Sequence, residues 1–109
     1  MRGVTLLTIA TDHPAFAGHF PGQPIVPGAL LLDAALHAAA QARQASGERT
    51  AFGPAMRCQI ASAKFLSPVQ PGETLSISCT GSDQGQTRFV IASSGRQIAT
   101  GTFVFESAP

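Results

Sequence analysis

The chain contains no tryptophan and no tyrosine, and only 12% of its 109 residues are charged. Soluble domains average about 25% charged residues. So little charge on a small domain predicts apolar surface hidden against another copy of the same chain. A net charge of +1, with seven basic residues scattered along the sequence, argues against a nucleic-acid-binding face, which needs clustered Lys and Arg. Cysteine is nearly absent. Cys58 and Cys79 share no C-x-x-C spacing and have no histidine at metal-site spacing. Two small buried thiols are expected, rather than a disulfide or a zinc site. No apolar run is long enough for a membrane span, because Asp33 and His37 break the longest one. Met1-Arg2-Gly3 leads into a strand-like run without a cleavage pattern, so a reducing, cytoplasmic home is expected. There is no glycine-rich phosphate loop, and no Ser or Cys sits in a nucleophile-like turn.

What is present reads as a single domain over residues 1–109. Val4 to Ala10 is rich in β-branched and apolar residues and predicts a strand. Thr11 to Pro27 holds four prolines and two glycines, a long ordered loop of the kind that usually carries function. Gly28 to Ala45 predicts the only helix, with Pro27 at its start and Gly47 as a stop. Alanine and leucine fill it nearly all round, so it is expected to be buried. Asp33, His37, Gln41 and Gln44 recur at helical spacing and share one face. Beyond Gly53-Pro54 the period becomes two. Cys58 and Ile60 alternate on one parity, Ala63 and Phe65 on the other, which predicts a bulge near Ile60. Strands follow through Leu75-Ile77-Cys79, Thr87 to Ser93 and Gln97 to Phe105, with turns at Pro68 to Gly72, Ser82 to Gly85 and Ser94-Gly95. The pattern is an α+β fold, an antiparallel sheet curled around one long helix.

Proline and glycine around His19 fix its ring in a reproducible place. A carboxylate in the second turn of an apolar helix is costly unless paired or protonated. If buried, Asp33 would gain a raised pKa and could donate a proton near neutrality. Pairing with His37, one turn later, is the structural alternative. His37 is expected to be mostly neutral and to orient Asp33. The helix start at Gly28 and Ala29 offers unsatisfied backbone N–H groups that could hold a thioester oxygen as charge develops on it.

The run Asp12-His13-Pro14-Ala15-Phe16-Ala17-Gly18-His19-Phe20-Pro21-Gly22, continued by Pro24-Ile25-Val26-Pro27-Gly28 and Leu32-Asp33-Ala34, resembles the β-hydroxyacyl-acyl-carrier-protein dehydratases of the hot-dog fold. Ala63-Lys64-Phe65-Leu66-Ser67-Pro68-Val69-Gln70-Pro71-Gly72 is similar to the family's second signature. The resemblance implies that His19 is the catalytic base and Asp33 its acid partner. Gly28 would bind the thioester carbonyl. It implies a homodimer in which each site takes its histidine from one subunit and its acid from the other. The substrate would ride on the phosphopantetheine of an acyl carrier protein, with no metal and no separate cofactor. Most members begin with a further segment that includes a strand, so an N-terminally shortened hot-dog domain is expected. Asp33 stands where simple dehydratases carry Glu, and His37 where many carry Gln. Two other readings fit the residues: a hot-dog thioesterase, and a non-catalytic acyl-carrier-binding subunit with a companion hot-dog chain. Arg43, Arg57, Lys64 and Arg96 are the basic residues that could gather into a carrier-protein docking patch.

Overall fold

Alternation of apolar and hydroxyl side chains gives the last three strands one dry and one wet face, and these dry faces build the core. The structure, a computed structural model, describes residues 2–9, 26–45, 57–81 and 85–105. The elements are β1 (Arg2–Thr8), α1 (Gly28–Ala45), β2 (Cys58–Phe65), β3 (Thr74–Gly81), β4 (Gln86–Ser93) and β5 (Arg96–Phe105). They form a five-stranded antiparallel sheet in the order β1-β3-β4-β5-β2. The predicted helix bounds coincide with α1, while β1 begins and ends two residues earlier than expected.

Leu75, Ile77 and Cys79 of β3 point inward together with Phe89 and Ile91 of β4 and Phe103 and Phe105 of β5. Phe89 and Phe103 stack with centroids 4.9 Å apart, and Phe105 meets Phe103 edge-on at 6.3 Å. Each such buried side chain contributes about 1.5–3 kcal/mol relative to exposure. The register between β2 and β5 shifts between Ile60 and Ser62, which is the predicted bulge. The shift lets Ile60 and then Ala63 and Phe65 lie on the helix side of the sheet. Ser94 (φ 50°) and Gly95 (φ 76°) form the two-residue turn between β4 and β5. Positive φ at both positions suits the right-handed twist of the strands they join.

The helix lies chiefly over β1, β3 and β4. Leu31, Ala35, Ala38 and Ala39 face the sheet. Arg43 is also buried: its Nε donates to Thr87 Oγ1 at 2.6 Å, one Nη donates to the Gln86 carbonyl at 2.8 Å, and its guanidinium lies 5.4 Å from the Phe105 ring centre. These bonds fasten the end of α1 to the start of β4. The expected burial of α1 on all sides is corrected. Small alanines let one face approach the sheet closely, while Asp33, His37, Gln41 and Gln44 all lie on the exposed face.

A second fastening joins the β2–β3 connection to the β4–β5 turn. The Glu73 carboxylate accepts from the Gln70 N–H at 2.7 Å, from Ser93 Oγ at 3.1 Å and from Arg96 at 2.9 Å. Arg96 also donates to Ser67 Oγ and to the Pro68 carbonyl. The Gln70 N–H first, then the Arg96 and Ser93 donors, hold the Glu73 carboxyl below its ordinary value of 4.5. The native state therefore favours the charged form. The stabilisation is complete above the ordinary value and fades as pH falls through the lower folded-state value. Replacing Arg96 by alanine is expected to cost ~1 kcal/mol at neutral pH, since the pair is partly exposed and screened, and less in acid. Urea melts of both proteins at the two pH values measure it.

Candidate active site

Helix α1 carries every predicted site residue that the structure describes. His19 and most of its loop lie outside the described residues. The start of α1 is pinned at two points. The Val26 N–H donates to the Val69 carbonyl at 2.8 Å, and the Pro27 carbonyl accepts from the Leu30 and Leu31 N–H groups at 3.0 and 3.3 Å. Proline at this point costs no hydrogen bond, because the first N–H groups of a helix have no internal acceptor. The Gly28 and Ala29 N–H groups stand at that end, as the sequence predicts.

Asp33 is one turn further along. Its side chain is 62% exposed in the single chain and that of His37 is 52% exposed. The expected burial of Asp33 is therefore corrected: among the described residues, none removes this carboxylate from water. The expected contact with His37 is present, with Nδ1 and the carboxylate oxygen 3.4 Å apart. The shorter bond runs from His37 Nδ1 to the Asp33 backbone carbonyl, at 2.8 Å. A carbonyl only accepts, so Nδ1 carries the proton, and in the neutral ring Nε2 is left as the acceptor. His37 thus grips the backbone of Asp33 more closely than its side chain.

Two cavities flank the first turns of α1. One, of about 450 Å³, runs between α1 and β1, with Leu30, Asp33 and His37 on one side and Thr5 and Leu7 on the other. The second, of about 390 Å³, lies on the β2 side, lined by Val26, Gly28, Leu31, Phe65, Pro68 and Val69 among others. Phe65 comes close to the helix: a Cβ added at Gly28 would lie 3.1 Å from its ring. The contact of Phe65 with the helix start is not legible in the sequence, since alternation places it on the inner face of a strand but cannot pair it with residue 28.

Cys79 is buried and its thiol is pushed up to about 11; burial also raises the Cys58 thiol, which is half-buried. Neither is a poised nucleophile. Among the described residues no cluster of His, Cys, Asp or Glu could hold a metal ion, and no helix is long and apolar enough to cross a membrane. Of the four basic residues considered for a docking patch, Arg43 is buried and Arg96 is bound to Glu73, so a patch of all four does not form.

One long helix laid on an antiparallel sheet of this strand order defines a hot-dog protein. The ApeI-like family, described as ApeI dehydratase, matches residues 2–102. The chain therefore belongs to the ApeI-like dehydratase family. It is 33% identical over 113 aligned residues to the 3-hydroxyacyl-[acyl-carrier-protein] dehydratase FabZ of Thermus thermophilus, covering 98% of this chain and 80% of that protein. FabZ of Geotalea uraniireducens is 39% identical over 77 residues, covering 70% of this chain and 53% of that protein. Among solved structures, the dehydratase heterocomplex ApeI:P from Xenorhabdus doucetiae superposes with a TM-score of 0.74 at 24% identity, covering 95% of this chain and 86% of that one. The fluoroacetyl-CoA thioesterase FlK shares the fold at a TM-score of 0.60 and 13% identity, covering 94% of this chain and 82% of that one.

Proposed function

We propose that the chain dehydrates 3-hydroxyacyl thioesters carried on an acyl carrier protein to trans-2-enoyl thioesters. The observation that carries this reading is the placing of Asp33 one turn beyond the helix-start N–H groups of Gly28 and Ala29, on the wall of a largely apolar cavity between α1 and β1. The names of the FabZ relatives support the substrate class. In this mechanism the thioester carbonyl sits at the helix start. His19 removes the proton from C2, and the charge that moves onto the carbonyl oxygen is held by the two backbone N–H groups. The C3–O bond breaks as Asp33, acting as the acid directly or through water, gives a proton to the departing hydroxyl. His37 holds the Asp33 backbone while this happens. Neither a metal nor a separate organic cofactor is needed for any of these steps. Incubating the chain with 3-hydroxyacyl carrier-protein thioesters and following loss of water by mass tests the reading. Absence of product at every chain length overturns it.

The exposure of β2 supports assembly into a homodimer. Among the described residues this strand ends the sheet, a sheet edge can pair with another chain, and seven of its eight residues are exposed. Ile60 and Phe65, about half exposed, lie on its inner face. A second copy pairing along β2 would bury them, and by the family resemblance each site would take its histidine from one subunit and its acid from the other. Ile60→Lys is expected to convert the dimer to monomer in sedimentation equilibrium. A dimer of unchanged strength would move the interface off β2. The ApeI:P dehydratase is a heterocomplex, which favours one other occupant of this edge, a companion hot-dog chain.

A further inference from the structure

Pro68 and Pro71 interrupt the connection between β2 and β3, so no regular ladder of backbone bonds can hold it. Other elements hold it instead. The Ile98 carbonyl accepts from the Leu66 and Ser67 N–H groups at 2.8 and 3.3 Å, and the Ile9 carbonyl accepts from the Gly72 N–H at 2.8 Å. Arg96 donates to Ser67 Oγ and to the Pro68 carbonyl, and Glu73, which also accepts from Arg96, holds the Gln70 N–H. These side-chain bonds fall on residues 67, 68 and 70, on both sides of Val69. Val69 is fully buried, and its carbonyl accepts from the Val26 N–H at 2.8 Å. Val26 stands two residues before Gly28, and the Pro27 between them has a fixed φ. Little freedom therefore separates the Val69 carbonyl from the helix-start N–H groups. At the other end of the connection the Phe65 ring lies against Gly28, 3.1 Å from the position of a Cβ there. The β2–β3 connection thus locates the start of α1, and Glu73 with Arg96 locates the middle of that connection.

We propose that Glu73 and Arg96 are positioning residues: by fixing the Val69 carbonyl on Val26 they aim the Gly28 and Ala29 N–H groups at the thioester oxygen. The inference rests on the dehydratase reading above and adds to it two residues that act without touching substrate. Donors of this kind work on charge that develops in the transition state, so a small displacement weakens them there more than in the ground-state complex. Loosening the clamp therefore lowers kcat and leaves KM nearly unchanged. A clamp that served stability alone would act differently, because a fold that loses a small part of its stability stays almost wholly folded and keeps its kcat.

The test measures kcat and KM of wild type, Arg96→Ala and Glu73→Gln on a 3-hydroxyacyl carrier-protein thioester. Glutamine keeps the shape of Glu73, but its one amide oxygen cannot accept from Gln70 on one side and from Ser93 and Arg96 on the other. In both variants kcat is expected to fall about tenfold, less than the roughly hundredfold that losing a donor outright costs, with KM within about twofold. Thr87→Val is the comparison. It leaves the buried Arg43 Nε without its acceptor at the far end of the same helix, so it weakens the fold at least as much, and it is expected to keep its kcat. An unchanged kcat in the clamp variants, or an equal fall in Thr87→Val, overturns the proposal. A second arm follows amide hydrogen exchange with no substrate present. In Arg96→Ala the Val26 N–H is expected to exchange at least about tenfold faster than in wild type, beyond any change shared by amides in the middle of β4. Equal changes at both places overturn the proposal. If wild type turns over no thioester, the dehydratase reading falls, and the exchange arm still decides whether the clamp holds the helix start.

Discussion

Replacing Asp33 by asparagine is expected to slow dehydration at least about a hundredfold, the lower end for loss of a positioned general acid, while the melting transition stays within about 1 kcal/mol of wild type. The second half of that expectation follows from exposure. The Asp33 side chain is 62% open to solvent in the single chain, and its recorded partner, His37, is bonded more closely to the backbone carbonyl, which asparagine keeps. A structural role would invert the pattern, costing stability with little change in turnover. Steady-state rates on a 3-hydroxyacyl carrier-protein thioester, with thermal melts of the same samples, separate the two. Undiminished turnover by a folded Asp33→Asn protein would remove the residue from the mechanism. His19→Ala is expected to fall by a similar factor, since base and acid act on the same elimination.

Replacing Gly101 by alanine is expected to destabilise the domain by ~3 kcal/mol, the upper range for overpacking a tight interior. Gly101 lies on the inner face of β5, opposite Ala63 of β2 and Phe89 of β4. A methyl there would stand 2.5 Å from the Ser62 carbonyl oxygen and 2.6 Å from the Phe89 ring. The ring is fully buried and stacked on Phe103, so it has no open space to move into. The carbonyl belongs to β2, so relief must come from pushing β2 away from β5. The damage then reaches Phe65, three residues along the same strand. Chemical denaturation measures the loss. A change below about 1 kcal/mol would show that β2 gives way freely.

Much of this architecture is written in side-chain periodicity. The helix bounds, the bulge after Ile60, the wet and dry faces of β3 and the Ser94-Gly95 turn all follow from local spacing. The polar stripe of α1 was also legible, but its environment was not. An alanine-rich helix reads as buried all round because alanine is apolar; whether a sheet covers one side or both depends on strand order, a long-range property. The same limit hid Arg43, whose charge suggests a surface residue. Only the fold brings Thr87 and the Gln86 carbonyl within its reach. The clamp between Glu73 and Arg96 escaped notice for a like reason, since the two residues belong to separate turns.

The lopsided seat of α1 on the sheet has a thermodynamic consequence. Among the described residues the helix lies chiefly over β1, β3 and β4, and most of β2 stays exposed. If a neighbouring molecule covers that strand, part of the folding free energy is intermolecular and grows with the amount of protein present. Dilution alone should then lower the midpoint of thermal unfolding, with every residue unchanged.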